Sequence, residues 1–475
     1  MFETDDPADA VRSTALADRA AVLDSLTKLI AGAWDSFEHP RPEEPAIDEE
    51  LRRRLAEPLP EGPLAAPEAL ADAAKVLDES VSPSRPLYLA YVGSTGLEIG
   101  VLASALAATY DVNLAVTAGA ADLVERQTLA WIAEFVGYPH SEGAFTSGGM
   151  TSNLTALLVA RESALPGCRE RGFDGRRGAL YCSSESHHSV IRAAEAAGLG
   201  SEAVRRLPMD ERRRLRPDEL AAAIAADRAA GVTPVAVVAN GGTTLTGAVD
   251  PLDEIAAVCE LEGVWMHVDG AYGLPAAATA AVGSLFAGLE RADSVILDAH
   301  KWLGMQKSCS VVLVRHRGAL EATFGHEESY IRREEVPNAV ERTLEYSRPF
   351  LSLKPWLAFR VHGAAVLRDW IEHTLRLARD LAERIRAEDG FELLCEPTLS
   401  TLCFRHLPPD VGDLDRHNAE LALAAQEDGR IYLASAVVDG HACLRVCFVN
   451  FRTRVEDVEL ILTTVRELGE RVASS

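Results

Sequence analysis

The sequence predicts an α/β fold: a mostly parallel central sheet flanked by helices, followed by a smaller C-terminal α+β domain. Three observations lead there. Segments of helical and strand periodicity alternate from about residue 97, several apolar runs of strand length end in polar or glycine-containing junctions, and beyond residue 350 one long helix is followed by short strands. In order, residues 6–34 have helical periodicity, and the Pro-rich stretch from Pro40 to Pro67 can wrap a surface but not build a core, giving an N-terminal helical arm over 1–85. A large domain over 86–350 follows. Its helices are expected at 97–109, 120–136, 149–164, 188–198 and 251–262, and its strands at 143–145, 178–183, 234–239, 264–269, 294–299 and 310–315. After a polar stretch from Glu321 to Arg348, a small domain over 351–475 is expected. It has helices at 356–388, 415–427 and 455–470, with strands at 391–396, 401–406, 431–437 and 442–449. Ligands of such parallel sheets bind beyond the carboxyl ends of the strands.

Composition narrows the function. A chain of 475 residues with 48% apolar residues can bury a large core and divide into domains. With 47 basic against 72 acidic residues the net charge is -25, which repels nucleic acid and anionic membrane surfaces. The sequence from Met1 to Asp6 has neither a basic nor an apolar leader region, and no apolar run reaches spanning length, so a cytoplasmic protein is expected. Cysteines 168, 182, 259, 309, 395, 403, 443 and 447 are scattered without metal-ligand spacing and read as reduced thiols.

The chemistry begins with lysine. Only five occur, at 28, 75, 301, 307 and 354, in a chain that otherwise carries its positive charge on arginine. Lys301 stands in Asp298-Ala299-His300-Lys301-Trp302, directly after an apolar run, and an amine can form a Schiff base with an aldehyde where a guanidinium cannot. The preceding strand ends in Asp269-Gly270-Ala271-Tyr272. Alone, each is ordinary: an Asp after a strand caps a turn, and a Lys beside a Trp lies along apolar surface. A lysine and a carboxylate ending successive strands are what pyridoxal phosphate requires, one to hold it covalently and one to pair with its ring nitrogen.

Three further junctions point to the same edge. Ser147-Gly148-Gly149-Met150 precedes a helix whose unpaired N–H groups suit a phosphate, although the same pattern also serves as a turn. His187 follows strand 178–183 and offers a flat imidazole for stacking or proton transfer, or is a solvated histidine near a cap. Gly242-Thr243-Thr244 after strand 234–239 is either a turn or a hydroxyl near the ring.

Together these motifs resemble the pyridoxal-phosphate-dependent group II amino acid decarboxylases, over roughly 86–460. The resemblance implies the type I, aspartate-aminotransferase-like fold and a homodimer with active sites at its interface. It also implies decarboxylation of an L-amino acid to the amine and carbon dioxide. By position it implies Lys301 as the cofactor lysine, Asp269 as the ring-nitrogen partner, His187 stacked on the ring and Ala271 against the other face. Thr244 would line the pocket, with Gly149, Met150 and His300 around the phosphate. Arg445 aligns with a substrate-carboxylate arginine, and a purely structural salt-bridged role stands beside that reading. Tyr88 and Tyr91 are candidate substrate-binding walls, as is Trp302, with Asp111 and Asn113 as polar contributions from a second subunit.

Two departures matter. Met150 lacks the hydroxyl that relatives often place in the phosphate loop, unless Thr151 or Ser152 supplies it. Ala339 stands near the position of a loop tyrosine that protonates the substrate carbon, with Tyr330 and Tyr346 on either side. Without that tyrosine, decarboxylation coupled to oxidative deamination, giving an aldehyde, is an alternative outcome. A cofactor-binding interaction protein without catalysis is a third reading, and a nicotinamide dehydrogenase is disfavoured because no Gly-x-Gly-x-x-Gly opens a helix after the first strand.

Overall fold

Alternating apolar segments build a seven-stranded sheet in the order β1-β7-β6-β5-β4-β2-β3. The computed structural model describes residues 16, 18–41, 45, 47–93, 95–116, 118–326 and 338–474. The strands are β1 (Glu142–Thr146), β2 (Gly178–Ser183), β3 (Val204–Leu207), β4 (Thr233–Asn240), β5 (Trp265–Asp269), β6 (Ser294–Leu297) and β7 (Ser310–Val314). Strands β3, β2, β4, β5 and β6 are mutually parallel, and β7 runs antiparallel to both β6 and β1. The central strands are buried along almost their whole length, as expected when helices cover both faces.

The N-terminal arm contains α1 (Arg19–Ser36), α2 (Glu49–Leu55) and α3 (Ala66–Asp78). Helix α2 falls inside the Pro-rich stretch, where Asp48 accepts a hydrogen bond from the Leu51 N–H and starts the helix. The sheet is covered by α4 (Glu98–Tyr110), α5 (Ala120–Val136), α6 (Gly149–Ala164), α7 (Ser189–Ala196), α8 (Pro217–Ala229) and α9 (Leu252–Glu262). Sequence patterning misses β3 and α8. Strand β3 is a four-residue edge strand with two arginines, and α8 is alanine-rich with only Leu220 and Ile224 buried.

The smaller unit opens with the long helix α10 (Leu353–Ala387), in which Gly363 adopts φ 78° and breaks the helical path, a conformation that favours glycine. An antiparallel sheet follows in the order β10-β11-β9-β8, made from β8 (Phe391–Cys395), β9 (Thr401–His406), β10 (Ala434–Val438) and β11 (His441–Cys447). It packs with α11 (Leu414–Asp428) and α12 (Val455–Ala473) around Leu377, Leu402, Phe404, Leu444 and Leu462. Leu87 and Leu89 belong to this same core, and Leu89 N donates to Tyr432 O at 2.9 Å, so the segment before α4 packs with the C-terminal elements.

Contacts through Tyr272 and Arg445 join the C-terminal unit to the carboxyl edge of the large sheet. The Tyr272 hydroxyl lies 2.5 Å from Ser400 Oγ and accepts from Thr401 Oγ1 at 3.1 Å. Arg445, on β11, donates to Ala90 O at 2.7 Å, to Leu245 O at 3.3 Å and to Thr244 O.

Candidate active site

At the carboxyl edge, strands β4, β5 and β6 end in Asn240, Asp269 and Leu297, and the turns that follow face one cleft. Its lining includes Gly149, His187, Thr244, Asp269, Ala271 and Lys301. Met150, Asn153, Tyr272 and Asp298 complete much of the wall. The strand-to-helix junctions read from the sequence therefore meet in space, although they are spread over some 150 residues of chain.

Asp269 is fixed by two neutral donors. Its Oδ1 accepts from the Ala271 N–H at 3.1 Å, closing the turn after β5, and its Oδ2 accepts from Asn153 Nδ2 at 2.9 Å. Lys301 is held differently. After β6 the chain makes a turn in which Lys301 N donates to Asp298 O at 2.9 Å, and the Lys301 ammonium lies 3.0 Å from Asp298 Oδ2. The other oxygen of Asp298 is buried without a hydrogen-bond partner among the described residues.

Neighbouring His300 lies with Nε2 3.6 Å from Asp298 Oδ2 and Nδ1 2.9 Å from Cys309 O. Burial depresses its basicity against the opposing pull of Asp298. His187 likewise falls below the ordinary histidine range, chiefly through burial. Its Nδ1 accepts from the Ser189 backbone N–H at 3.2 Å and lies 2.8 Å from Ser189 Oγ, so the neutral ring carries its proton on Nε2.

Helix α6 starts at Gly149 with no side-chain cap on its first turn, leaving N–H groups for an anion. Gly149 is needed for space as well, since a Cβ there would sit 2.8 Å from Asp298 Oδ2. A similar crowding occurs where the loops after β4 and β5 touch: a Cβ on Gly273 would lie 2.2 Å from Gly241 O. The hydroxyls near Met150 have their own partners. Ser152 Oγ is buried at 2.7 Å from Thr146 Oγ1 and 2.8 Å from Ser310 Oγ, whereas Thr151 Oγ1 pairs with Ser147 Oγ at 3.0 Å.

The remaining candidates lie elsewhere. Arg445 is 4% exposed, and its three bonded nitrogens all serve backbone carbonyls. Tyr88 stacks on Tyr432 with ring centroids 5.0 Å apart, beside a separate hollow under the arm, and Tyr91 is 58% exposed. Trp302 is wholly buried, stacked on Tyr272 at 5.1 Å and donating to Thr374 Oγ1 at 3.0 Å, so it is core. Asn113 Oδ1 accepts from Ala115 N and Arg348 N, and Asp111 closes α4 with φ 47°. Ala339 is buried in a short 3-10 turn, Tyr346 is partly exposed, and Tyr330 lies outside the described residues.

The residues given no role from sequence are Asn153, His267, Asp298 and the Asn240–Asp250 pair. Asp250 accepts from Asn240 N at 2.7 Å and from Leu215 N at 2.7 Å, and burial pushes its carboxyl up to about 6. A usable signal is a polar residue in or directly after an apolar strand, His267 within β5 and Asp298 three residues before the lysine, whereas Asn153 stands among other polar residues in the first turns of α6.

The architecture and this cleft define a cofactor-dependent enzyme of the pyridoxal type, and comparison with known proteins identifies which. Residues 49–407 match the pyridoxal-dependent decarboxylase conserved domain, and the chain belongs to that family. It is 34% identical over 448 residues to an aromatic-L-amino-acid decarboxylase of Bacillus atrophaeus, covering 92% of each chain. It is also 35% identical over 296 residues to cysteine sulfinic acid decarboxylase of Mus musculus, covering 61% of this chain and 60% of that one. The crystal structure of mouse CSAD superposes with a TM-score of 0.87 at 27% identity, covering 94% of this chain and 98% of the other. The protein is a pyridoxal-phosphate-dependent carboxy-lyase acting on an amino acid.

The cleft fits that cofactor on its own evidence. An amine and a carboxylate share one cavity, the start of α6 is uncapped, and Gly149 keeps clear a space that any side chain would fill.

Proposed function

We propose that Lys301, Asp269 and His187 carry the decarboxylation, with Gly149, Met150 and His300 around the phosphate and Ala271 and Thr244 closing the pocket. The observation that supports this most is that Lys301 and Asp269, at the ends of adjacent parallel strands, line the same cleft. Pyridoxal phosphate, when bound, supplies an aldehyde that captures an amine and a ring that accepts the electron pair left as carbon dioxide departs. Lys301 offers the amine, positioned by Asp298. Asp269 offers a carboxylate with both oxygens already oriented by neutral donors, so its charge is free to face a protonated ring nitrogen. The neutral His187 carries a proton on Nε2 and is the donor in this site for the substrate carbon. Arg445 acts through the backbone of Thr244 and Leu245, which it holds in place.

The same reading makes the protein a homodimer. Helix α4 leaves Leu102, Leu106 (51% exposed) and Tyr110 (78% exposed) open, and neither α1 nor α3 has a fully buried residue, which supports a second copy covering this side. Sedimentation should give twice the chain mass, and Leu106→Glu should reduce it. We place the enzyme in the cytoplasm, where the buried thiols Cys395, Cys403 and Cys443, clustered in the small domain, stay reduced.

The deciding experiment is a panel of L-amino acids monitored for carbon dioxide and amine with the reconstituted enzyme. Release of both in equal amounts supports simple decarboxylation, and peroxide with aldehyde in place of amine would overturn it.

A further inference from the structure

A chain of hydrogen bonds runs behind the cleft, and its direction follows from the chemistry of its members. Trp265 Nε1 can only donate, and it donates to Ser294 Oγ at 2.9 Å. His267 Nδ1 lies 2.9 Å from that hydroxyl, and His267 Nε2 lies 2.9 Å from Asn153 Oδ1. An amide oxygen only accepts, so Nε2 carries the proton and Nδ1 receives the hydroxyl hydrogen. Asn153 Nδ2 then has two hydrogens and two acceptors, Asp269 Oδ2 and Ser189 Oγ, each at 2.9 Å. The Ser189 hydroxyl, having accepted, donates its own hydrogen to His187 Nδ1 at 2.8 Å. His187 Nδ1 shares its one lone pair between the Ser189 hydroxyl and, at the longer 3.2 Å, the Ser189 backbone N–H, and Asn153, at 1% exposure, is the branch point.

We propose that Asn153 is the positioning residue of this active site: one amide group aims both Asp269 and His187 into the cleft, and His267 fixes which way that amide faces. A carboxylate in a low-dielectric site rotates unless its oxygens are bound, and an amide flipped end for end would set its oxygen against Asp269 and Ser189. The Nε2–H of His267 rewards only the productive orientation. Because Asn153 and His267 lie 114 residues apart, the arrangement exists only in the folded sheet. Burial pushes the His267 imidazole below the ordinary histidine range, which keeps this proton pattern unchanged at working pH.

The inference rests on the proposed roles of Asp269 and His187, and the test separates the two. Asn153→Asp preserves shape but places a carboxyl against Asp269, so one of the pair must hold a proton to make the bond. The apo-protein of this variant should bind pyridoxal phosphate about tenfold more weakly at pH 8, recovering toward pH 6, and the optimum of kcat should move about one pH unit to acid. His267→Gln retains a donor for Asn153 and should keep cofactor affinity within about threefold, while His267→Leu should lose about fivefold. Wild-type affinity and pH profile in Asn153→Asp, or equal behaviour of the Gln and Leu variants, would overturn the proposal. Lys301→Ala serves as the control for the underlying reading. If it keeps visible absorbance and turnover, the site assignment itself fails; if it loses both while Asn153→Asp is unaffected, only the positioning role fails.

Discussion

Asp269 and Asp298 stand at the carboxyl ends of adjacent parallel strands and line one cleft, yet the fold surrounds them differently. Asp269 receives two uncharged donors, an amide side chain and a backbone N–H, and no cation among the described residues is paired with it. Asp298 faces the Lys301 ammonium at 3.0 Å and approaches His300 at 3.6 Å, and its second oxygen has no hydrogen-bond partner among the described residues. The lesson is that a carboxylate's role is set by what is hydrogen-bonded behind it. Neutral support leaves a charge available to a ligand, whereas a cationic neighbour consumes it in holding a side chain.

The most severe way to challenge this contrast is to remove the amine itself. Lys301→Ala should abolish the visible absorbance of the bound cofactor and lower turnover by about 10⁴-fold or more, since covalent capture is lost outright. A yellow and active variant would refute the assignment. Next, Asp269→Ala should leave cofactor binding partly intact and lower kcat by about a thousandfold, corresponding to ~4 kcal/mol of transition-state stabilisation. Asp298→Ala should cost far less, about tenfold in kcat, because only the positioning of Lys301 suffers. Steady-state kinetics on the two aspartate variants side by side would settle the point, and equal losses would mean that the carboxylates do not differ in role.

Much of this site was legible because each junction carries its own local signature at a strand end. Lys301 and Asp269 stand out as chemistry after apolar strands, and the Ser147–Met150 segment as a glycine-rich start to a helix. The alternation of elements also gave α5, α6 and β2 directly. What was not legible depends on contacts between distant segments. Nothing in the neighbourhood of Asn153 announces His267, and nothing near Arg445 announces the carbonyls of Ala90 and Thr244 that surround it. The short, arginine-bearing edge strand β3 lacked the apolar density by which strands are recognised.

In acid, the buried support behind Asp269 can be separated from its function. Burial lowers the pKa of His267 from its ordinary value of 6.5, so below that pH the unfolded chain binds a proton that the native chain refuses. Stability from this group is therefore fully present above about pH 6.5 and falls as the pH drops toward the folded-state pKa. The slope is at most ~1.4 kcal/mol per pH unit for one proton. In His267→Gln no such proton exists, so the decline in denaturant midpoint below pH 6.5 should be shallower than in the wild type, while turnover at neutral pH stays close to normal. An equivalent change at His300 should flatten the curve less, because its imidazole is less completely buried than that of His267. Parallel acid curves for the wild type and the His267→Gln variant would show that His267 is not held neutral by the fold, and the supposed difference between the two ends of the cleft would narrow accordingly.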